Sequence, residues 1–185
     1  MRSEGATAPA FELPGVSGGT TETFSLEAAL DEDRAVLLVF YPFDFSPVCV
    51  DELCAIQEAQ WFEFTPDLDV WAVSADSTYS HRAFAEEYDL TFPLLSDADG
   101  STAEAFGVQH DEAQNHPGVP QRSVFLIDDD RTIQYAWSTT DIFEKPNFVP
   151  VNAAINELAA MAPELAPDDA NLEGAYEDPA GPPIE

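Results

Sequence analysis

The pattern of apolar and polar positions divides the chain into short strands and helices. Residues 35–40, the most apolar strand candidate, show no polar alternation, which predicts a strand covered on both faces. A helix is predicted over 78–88. Its residues Ala83, Phe84 and Tyr88 are spaced to face the core. The other predicted elements are strands at 68–75, 93–97, 123–128 and 132–137, short helices at 25–30 and 101–106, an edge hairpin or loose strands within 6–24, a long polar loop at 107–121, and a closing amphipathic helix at 151–161.

Strands alternating with helices, followed by a hairpin and a last helix, indicate an α/β fold with a central mixed sheet flanked by helices. One domain is predicted over 1–161. The segment 162–185 is rich in proline, acidic and small residues, and we expect it to be a disordered or loosely packed tail. Functional sites in such folds form at the carboxyl ends of the strands.

Both cysteines lie in the connection that follows the strand at 35–40. Pro42 and Pro47 are expected to hold this connection open as a turn, because proline is excluded from helix interiors. A helix is then predicted from Cys49 to about Trp61.

Cys49 is therefore expected in the first turn of a helix, with Ser46 or Asp44 as the cap. Unpaired backbone amides and the helix dipole at that position favour a thiolate over a thiol. Among the few cations, Arg122 alone stands at the mouth of an apolar strand, where a guanidinium is costly to bury unless it is paired or functional. From its position alone, an ordinary salt bridge with one of the many acids is the alternative.

Two cysteines five residues apart cannot form the disulfide framework of a domain this size, which leaves a catalytic, redox or metal role, or two inert buried thiols. On an intact helix, Cys49 and Cys54 would have Cα atoms about 8–9 Å apart. A disulfide needs roughly 4.4–6.8 Å, so a bond between them requires the helix to unwind. His110 and His116 could join them as metal ligands, although the spacing is not a standard zinc pattern. His81 is expected to be exposed.

The charge is extreme: 6 Lys+Arg against 36 Asp+Glu give a net charge of −30, and Lys145 is the only lysine. We interpret this as adaptation to a salt-filled cytosol, with a merely acidic mesophilic protein as the alternative. Nucleic acid and anionic membranes are disfavoured as partners. No apolar run approaches the ~20 residues of a membrane span, and the N-terminus shows no apolar signal-peptide segment. A cytoplasmic location is expected.

The spacing Pro42-x-x-x-Ser46-x-x-Cys49 resembles the signature of the peroxiredoxins, the AhpC/TSA family. Glu52 and Cys54 match the acid and the resolving cysteine of its peroxiredoxin Q, or bacterioferritin-comigratory, subgroup. The resemblance covers about residues 6–161, with further matching segments at 8–13, 73–76, 92–97 and 122–128. Three residues depart from the usual pattern, which has threonine at the first position and glycine and threonine at the other two: Ser46, Val48 and Val50.

The resemblance implies a thioredoxin-like fold with an N-terminal β-hairpin extension, and a thiol-dependent peroxidase that reduces hydrogen peroxide and organic hydroperoxides. Cys49 would be the peroxidatic nucleophile and Cys54 the resolving thiol of an intramolecular disulfide, the atypical 2-Cys type. Arg122 and Ser46 would orient the peroxide. The resemblance further assigns shielding of the sulfur to Pro42 and support of the arginine to Glu52.

The resemblance implies no cofactor and no metal, a thioredoxin or similar dithiol as reductant, and a monomer or weak homodimer. Two other interpretations stay open. A thioredoxin-like disulfide reductase normally carries Cys-x-x-Cys, unlike this chain, and a non-enzymatic metal-binding or redox-sensing module would use Cys49 and Cys54 with the two loop histidines. The large aromatics are interpreted as core residues rather than as a cofactor site: Trp61, Phe62, Phe64, Trp71 and Phe84.

Overall fold

The computed structural model describes residues 1–32, 34–59, 65 and 67–161. The predicted helix end at Trp61, the aromatic residues at 61, 62 and 64, and the predicted tail at 162–185 lie outside these residues. No helix in the described part of the chain is long and apolar enough to cross a membrane.

Within the described residues, seven strands form one mixed sheet in the order β2-β1-β5-β4-β3-β8-β9, and two more form a small separate sheet within the loop 107–121. Neighbouring pairs β3/β4 and β4/β5 are parallel, and the other pairs are antiparallel. The strands are β1 Glu12–Ser17, β2 Thr20–Ser25, β3 Ala35–Phe40, β4 Leu68–Ser74, β5 Leu94–Ser96, β6 Glu112–Ala113, β7 His116–Pro117, β8 Arg122–Ile127 and β9 Ile133–Thr139. The N-terminal hairpin and the predicted mixed sheet are confirmed.

The described helices cover the two faces of this sheet. Alternate residues of β3 point to opposite faces, so Leu37 and Val39 join one buried cluster while Leu38 and Phe40 join the other. Helices α2, α3 and α5 pack on the first face, and α1 and α4 pack on the second. Their bounds are α1 Leu26–Leu30, α2 Pro47–Ala59, α3 Thr78–Glu87, α4 Ser101–Phe106 and α5 Phe148–Met161.

Two helix starts differ from prediction. Helix α2 begins at Pro47 rather than at Cys49, because a proline fits the first helical position, where its missing N–H has no intrahelical partner in any case. Helix α5 begins at Phe148, three residues before the predicted start at 151, and carries Pro150 in its first turn for the same reason.

Two predictions of burial on α3 were wrong. Ala83 is exposed, and His81, expected at the surface, is fully buried beside Phe84. The apolar pattern correctly placed Phe84 in the core. It could not show that the polar side chain of His81 lies on the same buried face.

Candidate active site

The first turn of α2 holds the cysteine that the sequence singled out. The backbone carbonyl of Ser46 accepts the first helical hydrogen bond, from the amide of Val50 at 2.9 Å. Cys49 therefore lies among the amides at the helix start, as predicted, and its side chain is fully buried. It packs in the same apolar cluster as Leu53 and Ile56.

Arg122 reaches this sulfur from β8, the strand next to β3. Strand β8 runs antiparallel to β3 and pairs Ser123 with Phe40, so the start of β8 lies at the carboxyl end of β3. The loop of residues 41–46, which we call the cysteine loop, begins at the same place. The guanidinium is fully buried, and its Nη1 and Nη2 lie 3.6 and 3.5 Å from Cys49 Sγ. Two N–H groups directed at one sulfur stabilise negative charge on it.

Two further acceptors hold the guanidinium. Arg122 Nη1 donates to Glu52 Oε2, and Nη2 donates to the carbonyl of Ile142 at 2.8 Å. Glu52 is fully buried one turn after Cys49 on α2. Burial lowers the pKa of Arg122, but the charges of Glu52 and Cys49 raise it, and the net direction is upward, so the guanidinium stays charged.

The buried environment disfavours the charged form of the Glu52 carboxyl group. Burial raises the pKa of Glu52 from 4.5 to about 7, although the charge of Arg122 pulls the other way. Within the described part of the chain, Glu52 Oε1 and Arg122 Nε have no hydrogen-bond partner. The ion pair therefore leaves one buried polar atom on each side unsatisfied.

An open pocket of about 470 Å³ lies beside this site and is lined by the neighbouring residues Pro42, Ser46 and Ile142. Its floor is the loop that carries Pro42 and Ser46, and Ile142 and Phe143 form part of its wall. Pro42 is buried, whereas the ring of Phe143 is 67% exposed. The predicted residues Pro42, Ser46, Cys49, Glu52 and Arg122 are thus gathered at one end of the sheet.

Cys54 lies further along the same helix. Helix α2 is continuous from Pro47 to Ala59, and both cysteines are free thiols. Five residues of intact helix place their Cα atoms about 8–9 Å apart, beyond the reach of a disulfide. Burial, with smaller contributions from Glu58 and Asp51, raises the pKa of the Cys54 thiol.

Asp44 does not cap α2, which corrects one of the two predicted caps. Its carboxylate instead accepts hydrogen bonds from Tyr41 Oη at 2.7 Å and Ser80 Oγ at 2.6 Å, and it lies 3.0 Å from His81 Nδ1. This cluster could not be predicted from local sequence patterns, because His81 and Asp44 are 37 positions apart and neither belongs to a recognisable motif.

The alternative metal site is not assembled. In the residues that the structure describes, no three His, Cys, Asp or Glu side chains lie together as potential metal ligands. His116 is exposed in β7, and its ring packs against Phe43 with the ring centres 5.2 Å apart. His110 lies on another part of the same loop, and burial lowers its pKa.

Comparison with known proteins gives consistent results. Residues 5–136 match the AhpC/TSA family. A peroxiredoxin of the Bcp type from Coxiella burnetii is 34% identical over 137 residues, which cover 72% of this chain and 86% of that protein. Peroxiredoxin Q of Triticum aestivum chloroplasts is 30% identical over 136 residues, 74% of this chain and 59% of that protein.

Similar solved structures include the peroxidoxin BcpB from Mycobacterium tuberculosis, with a TM-score of 0.68 and 28% identity over 85% of this chain and 97% of that one. This likeness confirms the predicted thioredoxin-like fold.

Proposed function

The chain belongs to the AhpC/TSA family and is a thiol-dependent peroxidase of the peroxiredoxin type; on this premise we propose that Cys49 is the peroxidatic nucleophile and Cys54 the resolving thiol. The observation that carries the assignment is the contact between Cys49 Sγ and the buried guanidinium of Arg122. Peroxiredoxins use hydroperoxide substrates and thioredoxin-like reductants, and both are assigned to this chain by membership of the family.

In the first step, the thiolate of Cys49 attacks one peroxide oxygen. The O–O bond breaks, the sulfur becomes a sulfenic acid, and the leaving oxygen takes up a proton from solvent to depart as water or an alcohol. Arg122 stabilises the charge that develops on that oxygen, because its N–H groups already point into the site. Ser46, on the floor of the pocket, positions the peroxide with its hydroxyl, and the buried Pro42 keeps water from the sulfur.

Glu52 acts as a positioning residue in this scheme. Its ion pair with Arg122 holds the guanidinium at the sulfur from the same helix that carries Cys49. The carbonyl of Ile142 fixes the other terminal nitrogen. Glu52 thereby makes the orientation of Arg122 depend on an intact α2.

In the second step, the thiol of Cys54 attacks the sulfenic sulfur of Cys49, a disulfide forms and water leaves. The first turns of α2 must unwind beforehand, since the intact helix keeps the Cα atoms about 8–9 Å apart. While the helix is folded, burial, with smaller contributions from Glu58 and Asp51, raises the pKa of the Cys54 thiol and so disfavours its thiolate form. A dithiol reductant then restores both thiols.

The decisive experiment is mass spectrometry of the whole chain after one equivalent of hydrogen peroxide. We expect loss of both thiols as one disulfide per chain, with no oxygen retained. Reduction by thioredoxin should restore two thiols. Oxygen retained on Cys49 with Cys54 still free would contradict the resolving role of Cys54, and unreacted thiols would contradict the peroxidatic role of Cys49.

We further propose that the chain works in the cytoplasm as a monomer or weak homodimer, without a cofactor or metal. Light scattering of the reduced and oxidised protein over a range of concentrations tests the oligomeric state.

A further inference from the structure

A cluster of polar side chains, all buried except the partly buried Ser80, joins the loop that leads to Cys49 to helix α3. The carboxylate of Asp44 accepts hydrogen bonds from Tyr41 Oη at 2.7 Å and from Ser80 Oγ at 2.6 Å, and it contacts His81 Nδ1 at 3.0 and 3.2 Å. The side chain of His81 is 0% exposed and that of Asp44 is 1% exposed. We call these four residues the Asp44 cluster. The mechanism described above uses none of them.

Both ring nitrogens of His81 have partners. Nε2 lies 3.1 Å from the backbone carbonyl of Leu95, which can only accept, so Nε2 carries a hydrogen. Nδ1 faces the Asp44 carboxylate, so a proton lies between these two groups as well. The ring therefore links strand β5 to the cysteine loop by two hydrogen bonds.

The backbone of Asp44 is held separately. Its amide donates to Asp76 Oδ2 at 2.9 Å, and the same oxygen accepts from Ser74 Oγ at 2.9 Å. Asp76 lies in the connection between β4 and α3. Four groups thus face the His81–Asp44 pair. They are Tyr41 of the cysteine loop, Ser80 of α3, the carbonyl of Leu95 in β5, and Asp76, which holds the amide of Asp44.

The next residue marks a change in how the chain is held. Phe45 has a positive φ of 58°, an uncommon conformation for a non-glycine residue, and its ring is 48% exposed. From Ser46 onward the backbone is held by the hydrogen bonds of α2 itself. The hydrogen-bonded anchoring to α3, β4 and β5 therefore ends at Asp44, immediately before the segment that must unwind. Beyond it, the ring of Phe45 makes an apolar contact with Phe84 of α3, with the ring centres 5.0 Å apart.

We propose that His81 is a positioning residue that, through Asp44, fixes the boundary of the unwinding segment. This inference rests on the proposed disulfide between Cys49 and Cys54. When the first turns of α2 open, the Asp44 cluster keeps residues 41–44 in place, so Pro42 stays beside the site and the helix can re-form on a fixed start after reduction. Breaking a buried, fully hydrogen-bonded pair is costly because it leaves buried polar groups without partners. The His81–Asp44 pair therefore resists the unwinding and stops it at Asp44.

Amide hydrogen exchange of the reduced and the oxidised protein tests this boundary directly. We expect the amide of Val50, which is bonded within α2, to lose protection on oxidation, whereas the amide of Asp44, which is bonded to Asp76, stays protected in both forms. Loss of Asp44 protection together with that of Val50 would overturn the inference. Absence of any Cys49–Cys54 disulfide in the oxidised sample would instead overturn the proposed function, so the two failures are distinguishable.

Variants add a kinetic test. His81→Phe removes both hydrogen bonds, and His81→Asn retains one donor for partial rescue; Tyr79→Ala changes an exposed residue on the same helix as a control. In His81→Phe we expect oxidation of Cys49 by hydrogen peroxide to slow about tenfold while formation of the disulfide speeds up, with His81→Asn between it and the parent. A purely structural role would not separate the two steps in opposite directions. Parallel slowing of both steps, or no change in either, would contradict the proposal. Ser80→Ala, which removes one donor to the same carboxylate, serves as the milder variant if His81→Phe does not fold.

Discussion

Arg122 directs both terminal nitrogens at Cys49 Sγ, at distances of 3.6 and 3.5 Å, although the two residues are 73 positions apart. The contact exists because β8 pairs antiparallel with β3 and so begins where β3 ends. A charged side chain at the start of an apolar strand is thereby delivered to a thiol at the start of a helix.

Replacing Arg122 with lysine should lower the rate of Cys49 oxidation by about 100-fold, because one ammonium group cannot contact the sulfur, Glu52 and the Ile142 carbonyl as the planar guanidinium does. Stopped-flow fluorescence with hydrogen peroxide measures the rate. Arg131→Lys, in the β8–β9 turn, is the matched control. A rate within a factor of two of the parent in Arg122→Lys would refute the role given to the guanidinium.

Cys49→Ser should abolish peroxide turnover, because no other thiol lies beside Arg122. Cys54→Ser should still consume one equivalent of peroxide per chain and then stop with thioredoxin as reductant. Peroxide consumption in a coupled assay measures both. Sustained turnover in Cys54→Ser with thioredoxin would show that resolution does not need this thiol.

Glu52 should make stability depend on pH in an unusual direction. Its folded-state pKa of about 7 lies above the ordinary 4.5, so the folded chain holds this proton more tightly than the unfolded chain. Between pH 4.5 and 7, ionisation of Glu52 should therefore reduce the free energy of unfolding progressively, by up to about 3 kcal/mol. Denaturant unfolding of the parent and of Glu52→Gln across this range isolates the effect.

The difference in unfolding free energy between the parent and Glu52→Gln should change in favour of the variant as pH rises. Glu104→Gln, on the exposed side of α4, controls for the loss of one negative charge. A difference that is independent of pH, or that moves towards the parent, would show that Arg122 dominates the environment of Glu52.

Phe143 should contribute to the choice of hydroperoxide. Its ring lines the pocket of about 470 Å³ and is 67% exposed, so it is available to an apolar substituent on the substrate. Phe143→Ala should lower kcat/KM for cumene hydroperoxide by about 5- to 10-fold, the value of one apolar contact, and leave hydrogen peroxide unaffected. Equal losses with both substrates would mean that the ring supports the site rather than contacting the substrate.

The net charge of −30 should make folding stability depend on salt. Repulsion among carboxylates is screened when the Debye length falls from about 10 Å at 0.1 M to about 3 Å at 1 M, so the thermal midpoint should rise steeply over this range of KCl. Differential scanning calorimetry measures it, with sucrose as an uncharged control. Cooperative unfolding at the same temperature in dilute buffer would argue for the merely acidic mesophilic interpretation.

Sequence reasoning recovered the parts of the fold that depend on local pattern. Residues 35–40 became β3 with the predicted bounds, because an uninterrupted apolar run has few alternatives to a doubly covered strand. The short helix predicted at 25–30 forms as α1, and Ser25 caps it by accepting a hydrogen bond from the amide of Ala28 at 3.3 Å. The same reasoning placed Arg122 at a strand mouth, but its contact with Cys49 depends on the pairing of β3 with β8, which no local pattern encodes.

What sequence reasoning missed lies where polar groups satisfy one another over long separations. His81 and Asp44 each look like surface residues, and only their meeting beneath the cysteine loop makes their burial tolerable. Asp128 is similar: it is a carboxylate next to a turn, yet it is only 8% exposed and accepts a hydrogen bond from the amide of Thr132 at 2.6 Å. Such pairs carry no signal until both strands or helices are in place.

Cys49 shares an apolar cluster with Leu53 and Ile56, and this burial links peroxide chemistry to the folding stability of the protein. Under the proposed Cys49–Cys54 disulfide mechanism, each catalytic round would pull a core side chain outward and pack it again, so the protein would undergo a small, reversible local unfolding with every substrate molecule. Substitutions that merely stiffen α2 would gain heat resistance at the expense of throughput. The salt content of the surroundings, by tightening or loosening the whole chain, would act on that same balance.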